Sequence, residues 1–229
     1  MAVFTKLLKE DIEEFISDYS IGSLESFEEI VDGIENSNFK IFCNNQPYIL
    51  TIFEKRVTEE ELPFFINLKN FLNKNDFKCP KAISDKNGKI LKKIKNKTAV
   101  IISFLEGKSI EKPSFEICKE VGKMIASLHN LTKNFDEKRP NSLDLKDWKN
   151  IYQKCLNNKS EEFSEIMNFL KNEITYLENY WPSNIPCGVI HADLFRDNIF
   201  FKDEKISGVI DFYFACYYFY IYDLAIVIN

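Results

Sequence analysis

Glycine is scarce in this 229-residue chain, with seven in all, which leaves little room for flexible low-complexity linkers. Histidine is scarcer still, at two, and the six cysteines (Cys43, Cys79, Cys118, Cys155, Cys187, Cys216) lie far apart with no C-x-x-C pair. A structural zinc site needs closely grouped sulfur and imidazole ligands, so these counts argue against that class of domain. No apolar leader follows Met1, and scattered thiols in a chain this long read as reduced core residues, the usage of a cytoplasmic protein. The apolar run from Phe212 to Tyr222 is too short to cross a bilayer and ends at Asp223, so no membrane span is expected. Clustered positive charge is missing too. The net charge is −5, and the lysines are dispersed among Asp and Glu, which speaks for a solvated exterior and against a nucleic-acid surface.

What is present is a globular composition: 45% hydrophobic residues, with 21 Phe and 10 Tyr. A chain of this length buries roughly 70% of its extended surface, enough for one large domain or two small lobes. Ile12, Phe15, Ile16 and Tyr19 share one helical face over residues 11–20, with Gly22 placed to cap the end. The pattern then turns to strands. Phe39 to Cys43 and Tyr48 to Phe53 are joined by Asn44-Asn45 as a hairpin, and a second hairpin is expected at Asn87-Gly88. Between them a helix spans Thr58 to Asn73, with Thr58 and Glu61 spaced as a capping box and Pro63 shifting or kinking its first turn. A buried strand from Thr98 to Phe104 runs into Leu105-Glu106-Gly107, a hinge where the composition changes.

Past the hinge the period is helical. Ser114 caps a helix with the stripe Ile117, Val121, Met124, Ile125 and Leu128, and a second stripe comprises Phe163, Ile166, Met167, Leu170, Ile174 and Leu177. Short strands then return around loops. The expected architecture is α+β and two-lobed, with a nucleotide-binding sheet lobe over residues 1–104 and a helical lobe over 105–229.

The chemistry sits in Gly188-Val-Ile-His191-Ala-Asp193-Leu-Phe-Arg-Asp-Asn198 and in Val209-Ile-Asp211. Each residue alone has an ordinary use: Asp193 as a turn former, His129 as a core or cap residue, Asp223 as an N-cap or a brace for the loop. Together, and set between apolar strands, they have the spacing of a phosphoryl-transfer centre. Asp193 would accept or orient an acceptor hydroxyl, Asn198 and Asp211 would hold Mg²⁺ against ATP, and His191 would fix the loop backbone. Gly33-Ile-Glu35-Asn36-Ser37 opens a hairpin where a loop should cover phosphates, so Gly33, Asn36 and Ser37 are candidate nucleotide contacts. Thr51 stands where such a fold normally supplies a phosphate-pairing lysine. Lys55 is roughly 13 Å farther along the strand; Lys55, Arg56 or Arg196 could each bring the missing charge.

The chain resembles the homoserine kinase branch of the aminoglycoside-phosphotransferase-like superfamily, which is related in fold to protein kinases. The landmarks are residues 33–39, Tyr48 to Arg56, Leu62-Pro-Phe-Phe65, Arg139-Pro-Asn-Ser142, the loop Val189 to Asn198 and Gly208 to Cys216. The loop is common to the superfamily and identifies phosphotransfer; the other segments point to the branch, Thr51 among them. The resemblance implies ATP-dependent phosphorylation of the side-chain hydroxyl of L-homoserine, with Ser103 and Leu105 of the hinge meeting the adenine. Arg139, Asn141 and Tyr213 are candidate substrate contacts. Arg196 stands where the superfamily usually has Pro. Relatives of the branch continue past the Asp-Leu-Ala helix, so the C-lobe looks truncated, and nucleotide binding with poor turnover is expected. Two competing readings are a kinase for choline, an aminoglycoside or another amino alcohol, and a silent binding protein of the same fold.

Overall fold

The computed structural model describes residues 4–31, 35–54, 56–156 and 161–229, with no side-chain account for 161 and 162. Helix α1 (Lys9–Ile16) buries Ile12, Phe15 and Ile16, and the Asp11 carboxylate accepts from the Leu8 N–H to hold its start. Gly22, at φ +92°, lies in the bend beyond this helix and does not cap it.

Six strands follow as one antiparallel sheet: β1 (Leu24–Ile30), β2 (Ser37–Cys43), β3 (Gln46–Ile52), β4 (Ala82–Ile83), β5 (Lys92–Ile94) and β6 (Lys97–Ser103). Their order is β1-β2-β3-β6-β4, with β5 also on β6. Asn44 and Asn45, at φ 48° and 59°, make the β2–β3 turn, since two positive φ values in succession match the twist of the flanking strands. The second expected hairpin is corrected. Asn87-Gly88 does turn the chain, but β4 before it and β5 after it each pair with β6, not with one another. The tight turn lies instead at Lys95-Asn96 (φ 46° and 63°), where pairing to the central strand outweighs a weak local turn signal.

Helix α2 (Leu62–Lys74) starts around Pro63, whose missing N–H costs nothing in a first turn, while the Glu61 carboxylate accepts from the Thr58 N–H just before it. Beyond the hinge, Ser114 caps α3 (Phe115–Thr132) by accepting from the Ile117 N–H at 3.3 Å. Then come α4 (Leu145–Cys155), α5 (Glu161–Tyr180), β7 (Cys187–Ile190), β8 (Ile199–Lys202), β9 (Lys205–Val209), β10 (Cys216–Phe219) and α6 (Tyr220–Ile228). β7 pairs with β10, and β8 with β9, both antiparallel.

Two apolar clusters hold these pieces. One lies wholly in the N-terminal part: Ile12, Phe15 and Ile16 pack on Phe39, Ile41, Leu50 and Ile101 of the sheet. The other is built on α2, whose Phe65, Leu68 and Leu72 join Ile125 and Leu128 of α3 with Val189, Ile199, Val209 and Phe212. This second cluster also takes Phe53, Ala82 and Val100 from the sheet part, so through α2 it spans both parts. The apolar stripe expected on α5 is only partly covered: Met167 is buried and Phe163, Ile174 and Leu177 are half-buried, but Ile166 is 51% and Leu170 39% exposed.

The hinge is clamped to the β8–β9 hairpin. Lys108 and Phe201 exchange both backbone hydrogen bonds, at 3.1 and 2.9 Å. Gly107 (φ +122°) permits this, because a Cβ there would meet the Phe201 carbonyl oxygen at 2.6 Å. Gly208 does the same on the facing strand, where a Cβ would lie 2.7 Å from the Lys78 carbonyl oxygen and against the Leu105 side chain.

Candidate active site

The loop from His191 to Asn198 hangs between β7 and β8, and one buried carboxylate sets its shape. Asp223, fully buried on α6, accepts from the His191 N–H at 3.0 Å and the Ala192 N–H at 2.7 Å, and hydrogen-bonds His129 Nε2 at 2.8 Å. Of its two sequence-level roles, bracing the loop is the one the geometry provides; the N-cap of α6 is Phe219. His129, stacked on Tyr220 at 4.5 Å, ties that brace to α3. Ala192 is thereby held at φ +63°, a region a β-carbon disfavours.

His191 is buried, and burial pulls its imidazole pKa down, so the ring is neutral. Its Nε2–H donates to the Ile210 carbonyl at 2.8 Å while Nδ1 accepts from the Asp193 N–H at 3.2 Å. Both nitrogens are thus committed to backbone, and the ring fastens the loop to the end of β9.

Strand register brings Asn198 and Asp211 to the same end of the β8–β9 hairpin, with Asn198 opposite Ile210 and Asp211 one residue on. Ile199 faces Val209 across the β8–β9 hairpin, and the Ile210 N–H donates to the Asn198 carbonyl, so the residues flanking that pair lie side by side. Asn198 Nδ2 donates to Asp193 Oδ2 at 2.9 Å and to the Asp193 carbonyl at 2.8 Å. With Nδ2 so committed, the amide oxygen is the atom of Asn198 that could hold a cation. Asp211 is exposed, in the left-handed region at φ 58°, ψ 62°. Asp193 is half-buried. Burial and then the Asp211 charge push its carboxyl up to about 7, against the pull of Asn198 and Arg56.

One carboxylate and one carboxamide oxygen are too few to hold a metal by protein alone, and the described residues contain no group of three His, Cys, Asp or Glu that could. That sparse oxygen set suits Mg²⁺, which keeps waters and substrate phosphates in its remaining positions.

Around this centre several expected contacts are placed elsewhere. Ser37 is fully buried, its hydroxyl donating to Glu54 at 2.5 Å and accepting from the Phe4 and Thr5 N–H groups, so it serves the N-terminal segment rather than a phosphate. Ser103 Oγ accepts from the Lys81 N–H at 2.9 Å, which commits it to the neighbouring loop. Arg139 is an inter-lobe tie: Nε donates to Glu61 at 2.8 Å, Nη2 pairs with the same carboxylate, and Nη1 donates to the Ala215 carbonyl. No edge of its guanidinium is left for a substrate carboxylate. Asn141 Oδ1 accepts from the Leu143 N–H in a local turn. Tyr213 is buried edge-on against Phe53 and Phe65, with Lys69 Nζ 3.4 Å from its hydroxyl. It is a core residue. Asn36 is buried with its Oδ1 lacking a partner among the described residues. Gly33 and Lys55 lie outside the described residues.

Reading residue by residue missed Glu35 and Lys69. Glu35 forms an ion pair with Arg56. Lys69 is fully buried on α2, and burial pulls its ammonium down to about 8 while Asp211 and Cys79 oppose the fall. A lysine on an apolar helix face was the only signal available. A separate hollow of about 520 Å³ on the helical part is lined by Asp144, Lys149, Trp181 and Tyr218, and not by Asp193, Asn198 or Asp211.

The chain is similar to known proteins along its whole length. The phosphotransferase enzyme family model (APH) matches residues 26–229. Homoserine kinase of Bartonella henselae is 42% identical over all 229 residues, which span 72% of its length. Homoserine kinase of Agrobacterium fabrum is 41% identical over the same stretch, 71% of its length. Among solved structures, the amicoumacin kinase hAmiN in complex with AMP-PNP, Ca²⁺ and Ami superposes with a TM-score of 0.76 at 16% identity, covering 96% of this chain and 67% of that one. At that identity the likeness speaks for the two-lobed kinase-like fold alone.

Proposed function

This chain belongs to the phosphotransferase enzyme family, and within it to the homoserine kinases, and from that premise we propose how its residues act. The reaction is transfer of the γ-phosphoryl group of ATP to the side-chain hydroxyl of L-homoserine, giving O-phospho-L-homoserine and ADP, a step toward threonine. Likeness to homoserine kinases along the whole chain carries the choice of acceptor.

Asp193 takes the acceptor proton as the hydroxyl oxygen attacks phosphorus in line with the departing ADP oxygen. Its raised pKa suits it to that task near neutrality. Asn198 orients Asp193 through Nδ2 and, with Asp211, would hold magnesium, whose charge would offset that of the phosphates. Asp223 and His191 keep the loop in its strained form before substrate arrives. Asn36 and the hinge backbone near Leu105 would meet the nucleotide, with residues 1–104 carrying the nucleotide and 105–229 the catalytic and metal residues. No helix among the described residues is long and apolar enough to cross a membrane, and the cytoplasm, where ATP is supplied, is the compartment we assign.

The test is product mass after incubation with ATP, Mg²⁺ and each of L-homoserine, choline and kanamycin. O-Phospho-L-homoserine as the dominant product is expected; preferential phosphorylation of either competitor would overturn the acceptor.

A further inference from the structure

A phosphoryl-transfer site needs a cation on the transferring phosphates besides its metal. Strand β3 offers none at the expected place: Thr51 is neutral, 2% exposed, and its hydroxyl donates to Asn38 Oδ1 at 2.8 Å. Among the described residues, the other basic side chains nearby are mostly committed. Arg196 donates to the Glu111 carbonyl at 3.1 Å. Lys69 is sealed beneath Tyr213, and Lys97 is held by Glu54 and Thr5 behind the sheet's edge.

Arg56 is different. It lies just past the end of β3, and its guanidinium carbon sits 3.1 Å from the centre of the Phe214 ring. Phe214 ends the short turn that Asp211 begins, so this stacking fixes the cation beside the metal loop. Its charge reaches Asp193, where it opposes the rise in pKa. On the other side the guanidinium pairs with Glu35, in the segment leading into β2, and both side chains are 28% exposed. A planar fork stacked by one face keeps its N–H edges for anions, and Glu35 takes one of them.

We propose that Arg56 is the cation that binds the nucleotide's terminal phosphates, held over the metal loop by Phe214, and that Glu35 is an internal anion which those phosphates displace. This rests on the kinase reading above. It accounts for a neutral Thr51, since the charge arrives from the strand's continuation. It also gives the segment before β2 a reason to change partner when nucleotide binds: Glu35 loses Arg56 to a more highly charged ligand.

The test is titration of the full chain with AMP-PNP and Mg²⁺ and, separately, with adenosine, followed by calorimetry, alongside the KM for ATP. Arg56→Ala should weaken AMP-PNP binding roughly ten- to a hundredfold and raise the KM for ATP while leaving adenosine affinity as it is. Arg56→Lys should fall between. Glu35→Gln should tighten AMP-PNP severalfold, because the competing carboxylate is gone. Unchanged AMP-PNP affinity in Arg56→Ala, or equal losses for AMP-PNP and adenosine, would overturn the proposal. Should Arg56→Ala fail to fold, Glu35→Gln carries the test: weaker AMP-PNP binding in it would count against displacement. A wild-type chain that binds AMP-PNP and makes phosphohomoserine while Arg56→Ala does both equally well sinks this inference alone. A wild-type chain that does neither sinks the kinase reading on which it stands.

Discussion

At the scale of single residues, the site works by setting like charges near one another and then governing the consequence. Asp193 faces the Asp211 carboxylate from a half-buried position, which keeps its proton on to about pH 7 in the chain by itself. A base must be ionised to accept a proton, so kcat/KM should fall as pH drops below the Asp193 pKa and level off above it. Raising magnesium should move that limb to lower pH, since a divalent ion on Asp211 removes the second-largest cause of the shift. Asp193→Asn should lose roughly a thousandfold or more of kcat, in keeping with the 10²–10⁴ usual for general bases, while still binding AMP-PNP; a pH limb that survives in the variant would refute the role. Lys69 allows a prediction of the opposite kind. Its ammonium is buried and, among the described residues, is met only by the hydroxyl and ring of Tyr213, so Lys69→Met should stabilise the fold by about 1–3 kcal/mol in urea unfolding. The folded pKa lies below the unfolded one, so the unfolded chain binds more protons between them. Wild-type stability therefore gains as pH rises from 8 toward 10, and the advantage of the variant should narrow over that interval.

At the scale of elements, one close approach fixes how the hinge lies on the β8–β9 hairpin. Hinge and catalytic hairpin approach so closely at Gly107 that Gly107→Ala must move the Phe201 backbone or give up the Lys108–Phe201 bonds. A loss of about 2 kcal/mol or more and a raised KM for ATP are expected, measured by thermal unfolding and initial rates; a neutral alanine variant would show that the clamp is dispensable. Local pattern foretold most elements, because capping residues, Asn-Asn turns and apolar periods act within a few residues of themselves. Ser114 and Asn44-Asn45 are examples. It failed where pairing partners decide: β4 and β5 both answer to β6, and no local signal at Asn87-Gly88 reports that. In α5 the period correctly marks an apolar face but says nothing about what covers it, and Ile166 stays exposed.

For the molecule as a whole, the two parts are not independent. The cluster on α2 takes side chains from the sheet part, from α3 and from the catalytic hairpins, so melting either part exposes the core of the other. Both tryptophans, Trp148 and Trp181, lie in the helical part and pack edge to face at 5.4 Å, which makes their fluorescence a local probe. Urea transitions followed by fluorescence and by far-ultraviolet dichroism should therefore coincide. Separate midpoints would mean that α2 does not couple the lobes. The candidate catalytic and metal-holding residues were legible in the chain itself: Asp193, Asn198 and Asp211 come near one another because a loop and a two-residue hairpin turn connect them over short stretches of sequence. Which polar residues were left over for substrate was decided only by the tertiary structure. Arg139, Ser37, Ser103 and Tyr213 look available in one dimension and are consumed by Glu61, Glu54, Lys81 and Lys69, none of them near in sequence. Long-range pairing is a matter of where the packed elements leave each side chain, and desolvation then obliges every buried polar atom to take the partner it finds there.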